Sequence, residues 1–169
     1  MDKRYLLIII ILAVSFINLY IIYDASDVVG SASVNLNEFT FSLPPNFDLL
    51  YSNNEYIEMY SSDLGNVYIS YEDASSENDY QHRLDYIENR SDMILLSTGN
   101  IDVGNITVYS IFYQKDNSTG TLNQSSFIFE RYDKRFTIGM TNFDYDKRDK
   151  TIEIAVFLIE SLRPNYEMG

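Results

Sequence analysis

Cysteine and tryptophan are both absent from this 169-residue chain. Without cysteine there is no disulfide framework, no thiolate zinc site, no cysteine-bound iron–sulfur cluster and no thiol nucleophile. Lipid attachment through cysteine is excluded on the same ground. Histidine occurs once, as His82. Any Ser-His-Asp arrangement would have to use it. It sits between Gln81 and Arg83, off the apolar stripe of its segment, and no Gly-x-Ser-x-Gly accompanies it. Only seven glycines occur, none in Gly-x-Gly-x-x-Gly or Walker spacing. The expectation is therefore no cofactor and no catalytic residue. Positive charge is also scarce, with 12 Lys and Arg against 25 Asp and Glu and a net charge of −13. Such a chain repels nucleic acid and anionic headgroups, so no nucleic-acid partner is expected.

Apolar residues make up 46% of the sequence, which is ample for a folded domain, and there are 15 Tyr and 10 Phe. Residues 5–23, YLLIIIILAVSFINLYIIY, carry no charge. As a helix they would span about 28 Å, close to a hydrocarbon core of about 30 Å. Tyr5, Tyr20 and Tyr23 stand at the ends, where aromatic rings prefer the bilayer interface. Lys3 and Arg4 precede the run and Asp24 and Asp27 follow it, so the positive-inside bias puts the N-terminus in the cytoplasm. A secretory signal peptide would want a shorter apolar core with a small-x-small site close behind it, and Ser31-Ala32-Ser33 lies well past Tyr23. The organisation predicted is a cytoplasmic stub (1–4), a single-pass transmembrane anchor (5–23), a polar linker (24–33) and an extracytoplasmic domain (34–169).

Within that domain, Phe39, Phe41 and Leu43 alternate with Thr40 and Ser42 as in a half-buried strand, and Val34 and Leu36 fall in the opposite parity, which predicts a break near Asn37. Residues 55–60 and 66–72 read as a hairpin, with Val67, Ile69 and Tyr71 on one face. Tyr80, Leu84 and Ile87 form a helical stripe within a helix of about 76–90, capped by Ser75 or Ser76. A buried strand over 93–97, a loop over 98–105 and a meander of strands at 106–114, 126–133 and 135–141 follow. A final helix of about 146–162 carries Ile152, Ala155, Val156 and Ile159 as its stripe and stops before Pro164. The prediction is an α+β domain with a mostly antiparallel sheet of about six to eight strands and two packed helices.

The opening Phe39-Thr-Phe-Ser-Leu-Pro-Pro-Asn-Phe47, the turn Val103-Gly104-Asn105 before a long strand, and the closing meander with Ile159-Glu-Ser-Leu162 resemble PsbP/Mog1-like domains over about residues 34–163. The resemblance implies an antiparallel sheet with helices on its faces. It implies a binding, scaffolding or assembly module and supplies no catalytic residue.

Two sets of candidate site residues emerge. Asn89, Asn105, Asn117 and Asn123 each open an Asn-x-Ser/Thr sequon, with Asn117 and Asn123 favoured as glycosylation acceptors because they fall at a turn. Tyr56, Tyr60, Tyr68, Tyr71, Tyr109 and Tyr113 are candidates for an aromatic binding face. Asp144, Asp146 and Asp149 do not match a calcium loop, since Arg148 and Asp149 occupy the fifth and sixth positions. The function expected is a membrane-anchored extracytoplasmic binding or assembly module, non-catalytic, with a protein or glycan partner. The alternatives are a structural cell-surface protein, N-glycosylated at the sequons, and a carboxylate-dependent hydrolase for which no pair of acids stands out.

Overall fold

The computed structural model describes residues 32–165 other than Asn142. The predicted anchor, 5–23, and nearly all of the linker lie outside the described residues. Among the described residues no helix is long and apolar enough to cross a membrane.

The chain folds in the order β1 (Ser33–Leu36), β2 (Phe39–Ser42), β3 (Asp48–Ser52), β4 (Tyr56–Ser61), β5 (Gly65–Glu72), α1 (Ser76–Glu88), β6 (Met93–Val103), β7 (Ile106–Asn117), β8 (Gly120–Arg131), β9 (Lys134–Thr141), a 3-10 turn (Tyr145–Lys147), α2 (Arg148–Ser161) and β10 (Arg163–Pro164). Seven strands make one antiparallel sheet in the order β3-β4-β5-β9-β8-β7-β6, and β1, β2 and β10 make a small second sheet. The domain is α+β, with two helices among the described residues.

The expected break near Asn37 is a tight turn that pairs Leu36 with Phe39, with Asn37 at φ 51°. The loop expected over 98–105 is instead strand. Its polar residues Ser97 to Asp102 run on as β6, and the chain reverses only at Gly104, whose φ of 61° suits a residue without Cβ. The sequence reads as loop there because β6 is an edge strand with much of its surface in solvent. It is also half-buried rather than buried over 93–97. β8 likewise begins at Gly120, earlier than its apolar residues announce, because residues 120–123 pair with β7 alone at the hairpin end. Tyr132 and Asp133, at φ 53° and 57°, form the two-residue turn between β8 and β9, a type I′ geometry that matches strand twist.

Strand alternation gives the large sheet two unlike faces. The back face carries Ile57, Ile69, Phe112, Phe127, Phe136 and Ile138, all fully buried under α2 and the small sheet. Phe39 from β2 is the join. Its ring lies 5.0 Å from both Tyr71 and Phe136, edge-on to each, and 5.9 Å from Tyr132. Removing a ring this buried costs about 3–5 kcal/mol in comparable cores. On α2 the buried side is Thr151, Ala155, Leu158 and Ile159. The expected stripe is thus rotated: Leu158 is central, and Ile152 and Val156 lie at its margin.

α1 packs Ile87, Leu84 and Tyr80 on the front face over Ile111, Tyr113 and Ile128. Neither Ser75 nor Ser76 caps it through a side chain. The Ser76 N–H donates instead to Glu130 Oε1 of β8 at 2.5 Å, so a carboxylate from the sheet meets the positive helix end.

The basic residues at the start of α2 oppose its dipole, and the tertiary structure supplies the compensation. Lys147 Nζ lies 2.6 Å from Asp63 Oδ1 in the β4–β5 turn, and Lys150 pairs with the other oxygen. The Arg148 guanidinium sits 4.7 Å over the Phe112 ring. The two lysines hold Asp63 down at about 2, from an ordinary 3.8. A depressed carboxylate contributes stability above its unfolded pKa and loses it as pH falls through the folded one. Thermal melts of wild type and Asp63→Asn should therefore differ by a constant amount above about pH 5. That difference should shrink below the unfolded value of 3.8 and vanish near pH 2.

Candidate functional site

α1 covers β6, β7 and β8, and among the described residues no helix covers the rest of the front face. Tyr56, Glu58 and Tyr60 of β4, Asn66 and Tyr68 of β5, and Gly139 and Thr141 of β9 share this open stretch, as the registers Tyr60↔Asn66, Glu58↔Tyr68, Tyr68↔Gly139 and Asn66↔Thr141 fix. Tyr51 of β3 joins them opposite Glu58, with its ring 5.5 Å from Tyr56.

The polar groups of this strip are ordered by one another. Tyr56 donates its hydroxyl to Glu58 Oε2 at 2.5 Å, and Asn66 Nδ2 donates to Glu58 Oε1 at 3.0 Å. The Glu58 hydrogen bond pushes the Tyr56 phenol up to about 12. Tyr68 lies across Gly139, and a Cβ at that position would come within 2.0 Å of its Cζ. Glycine there is what lets the ring settle on the sheet.

The flank of α1 closes the strip on one side. Asp79 Oδ1 meets Arg135 Nη1 at 3.1 Å, and Asp79 Oδ2 meets Arg83 Nη2 at 3.4 Å. Arg135 also meets Glu72 at 2.6 Å. Arg83 reaches over to Ser126 Oγ at 3.4 Å. A shallow cleft of 250 Å³ opens here, lined by Asp79, His82, Arg83, Tyr86, Ile87, Met93 and Tyr113. Burial pushes the Tyr113 phenol up to about 12, and its hydroxyl donates to Gln124 Oε1 at 2.8 Å. His82 is exposed at the rim, where no serine or carboxylate hydrogen-bonds to it among the described residues. Among the described residues no three His, Asp or Glu side chains converge.

The six candidate tyrosines thus do not form one row. Tyr56, Tyr60 and Tyr68 lie together on the open strip. Tyr109 and Tyr113 are on the same face but under α1, where Tyr109 stacks on Tyr80 at 4.9 Å. Tyr71 points the other way, into the back-face core beside Phe39 and Phe136. Its shared parity with Val67 and Ile69 is the sequence signal for that. Tyr51, Glu58, Asn66 and Arg83 are members that sequence reasoning missed. Cross-strand register and the position of α1 bring them in, and neither is visible in local pattern.

The sequons separate as well. Asn123 Nδ2 donates to the Phe143 carbonyl at 2.8 Å and Asn123 Oδ1 accepts from Gln114 at 3.1 Å, so this residue is tied into the sheet rather than offered at a turn. Asn89 Nδ2 caps α1 through the Asp85 carbonyl at 2.7 Å. Asn105 and Asn117 are exposed at the two ends of β7. Thr119 donates from both N and Oγ1 to Asn117 Oδ1 at 2.8 Å.

No family model matches the sequence. No curated protein matches it significantly. Comparison of structures is more informative. The solution structure of cyanobacterial PsbP (CyanoP) from Synechocystis sp. PCC 6803 is similar at a TM-score of 0.50 and 12% identity, over 79% of this chain and 90% of that one. A crystal structure from Bacteroides thetaiotaomicron VPI-5482 is similar at the same TM-score and identity over 76% of this chain, which spans 45% of that protein. LpqN, described as involved in cell envelope biogenesis of Mycobacterium tuberculosis, gives a TM-score of 0.47 at 12% identity over 78% of this chain and 88% of that one. The domain is PsbP-like in fold, as the opening motif and the mid-chain glycine turn imply.

The Tyr56–Glu58 pair carries a pH signature. In ultraviolet titration of the full chain, two phenols should ionise near 12, Tyr113 because of burial and Tyr56 because of Glu58. Glu58→Gln should bring the Tyr56 phenol alone back toward 10, and an unchanged titration would show that the hydrogen bond does not hold Tyr56.

Proposed function

We propose that this protein is a non-catalytic binding or assembly module, held at the outer surface of a membrane by residues 5–23, and that the open strip of the front face is its contact surface. The observation that carries this reading is the half-covered sheet. One face is sealed by α2 and the small sheet, while Tyr56, Tyr60 and Tyr68 are left beside α1 with Glu58 and Asn66 ordered between them. Aromatic rings with fixed polar neighbours suit a protein or glycan surface, because the rings supply area and the polar groups supply orientation. The fold shared with PsbP is compatible with an accessory role. The uncharged run at 5–23 and its flanking charges support the placement outside.

The absence of cysteine makes a clean test. Tyr60→Cys and Tyr145→Cys, both at positions 40% exposed, are expressed as full chains. Intact cells are treated with a membrane-impermeant maleimide that bears a photo-crosslinker. Labelling of both variants without permeabilisation places the domain outside, and labelling only after permeabilisation overturns that placement. A discrete crosslinked adduct from position 60 and none from position 145 supports the open strip as the contact surface. Adducts from both or from neither overturn it.

A further inference from the structure

The segment Ser33–Glu72, which makes β1 to β5, contains no lysine or arginine, and the first cation after Arg4 is Arg83. Its acids are Glu38, Asp48, Glu55, Glu58, Asp63 and Glu72. Cations from elsewhere in the chain reach two of them, Lys147 and Lys150 at Asp63 and Arg135 at Glu72. Among the described residues Glu38, Asp48, Glu55 and Glu58 meet no cation. The last three stand together on the β3–β4 hairpin.

That hairpin also ends the sheet. Among the described residues β3 pairs with β4 alone, and no strand lies beside its other backbone edge. Every residue of β3 is exposed, and three in succession are large and apolar: Leu49 at 46%, Leu50 at 54% and Tyr51 at 50%. Tyr60, 40% exposed, extends the patch on β4. Unpaired edges template the addition of another strand, and folded proteins blunt them with lysine, proline or an irregular register. β3 has neither lysine nor proline, only the register shift at Leu50. Its guards are carboxylates, which repel some partners and attract others. A second copy of this chain, paired edge to edge, would bring Asp48, Glu55 and Glu58 of both copies together. An anionic lipid surface is repelled in the same way. A basic extended chain is drawn in by the same field.

We propose that β3 accepts an extended segment of a partner protein as an eighth strand, and that this segment alternates apolar residues with lysine or arginine. This rests on the domain being a binding module, and it names how one partner class docks beside the open strip. Main-chain hydrogen bonds to β3 supply affinity. Leu49, Leu50 and Tyr51 select apolar side chains, and Asp48, Glu55 and Glu58 select cationic ones.

The test uses the full chain in detergent micelles and two synthetic peptides, one alternating lysine with valine and one alternating glutamate with valine. Hydrogen exchange is followed at the amides of residues 48–52. The lysine peptide should slow exchange there by about tenfold or more in a saturable way, the glutamate peptide should not, and Leu50→Lys should weaken the effect about tenfold. Leu50 is exposed, and retention of the wild-type circular dichroism spectrum identifies a folded variant. No saturable slowing with the lysine peptide, or equal slowing with both peptides, overturns the proposal. Slowing confined to β5 and β9 overturns the edge site and leaves the open strip standing. Concentration-dependent slowing without peptide shows a second copy on the edge and overturns the proposed partner.

Discussion

A single helix cannot cover one face of a seven-stranded sheet, and that constraint organises this domain. Strands repeat about every 4.8 Å, and a packed helix is about 10 Å across, so one helix shields two or three strands. The back face meets the constraint by adding a second layer, with α2 and the β1-β2-β10 sheet closing over its phenylalanines. Among the described residues the front face has only α1, which sits on β6, β7 and β8. What remains over β4, β5 and β9 must be tolerable in water. Its residues are Glu58 with Ser, Thr, Asn, Gly and tyrosines, and the Tyr56 hydroxyl is held by Glu58.

Electrostatics then fixes the layers in place. Residues 33–82 hold acids and no lysine or arginine, and every lysine and arginine of the domain lies at Arg83 or beyond, so each clamp joins separate segments of the chain. Asp63 takes Lys147 and Lys150 and pins the start of α2 to the β4–β5 turn. Arg135, nearly buried, joins Glu72 to Asp79 and pins α1 to the sheet beside the open strip. Single exposed ion pairs contribute little, whereas an arginine shared between two carboxylates at low exposure fixes geometry as well as energy.

Much of the fold was legible in the sequence where burial imposes a period. Phe136, Ile138 and Met140 announce β9, and Tyr80, Leu84 and Ile87 announce α1. The parity switch between Leu36 and Phe39 marks the first turn. Legibility failed where strands run into solvent, as in β6 beyond Ser97 and β8 before Ser126, because polar residues at an edge or hairpin end look like loop. The two-residue β10 carries no pattern of its own and exists only because Pro164 meets Phe39. The site was half legible. Alternation places Tyr56, Tyr60 and Tyr68 together and turns Tyr71 inward. Only the position of α1 decides that Tyr109 and Tyr113 are covered. The tie from Asn123 to Phe143 likewise depends on two segments meeting in space.

The central claim is that the uncovered tyrosines of the front face are covered by something else in the native setting. Tyrosine footprinting by iodination addresses it directly, comparing the full chain in intact cells with the same chain after purification. Tyr60 and Tyr68 should be protected in the cell and modified after purification, while Tyr145, exposed on the 3-10 turn, should be modified alike in both. Equal modification of Tyr60 and Tyr68 in both preparations would contradict the account.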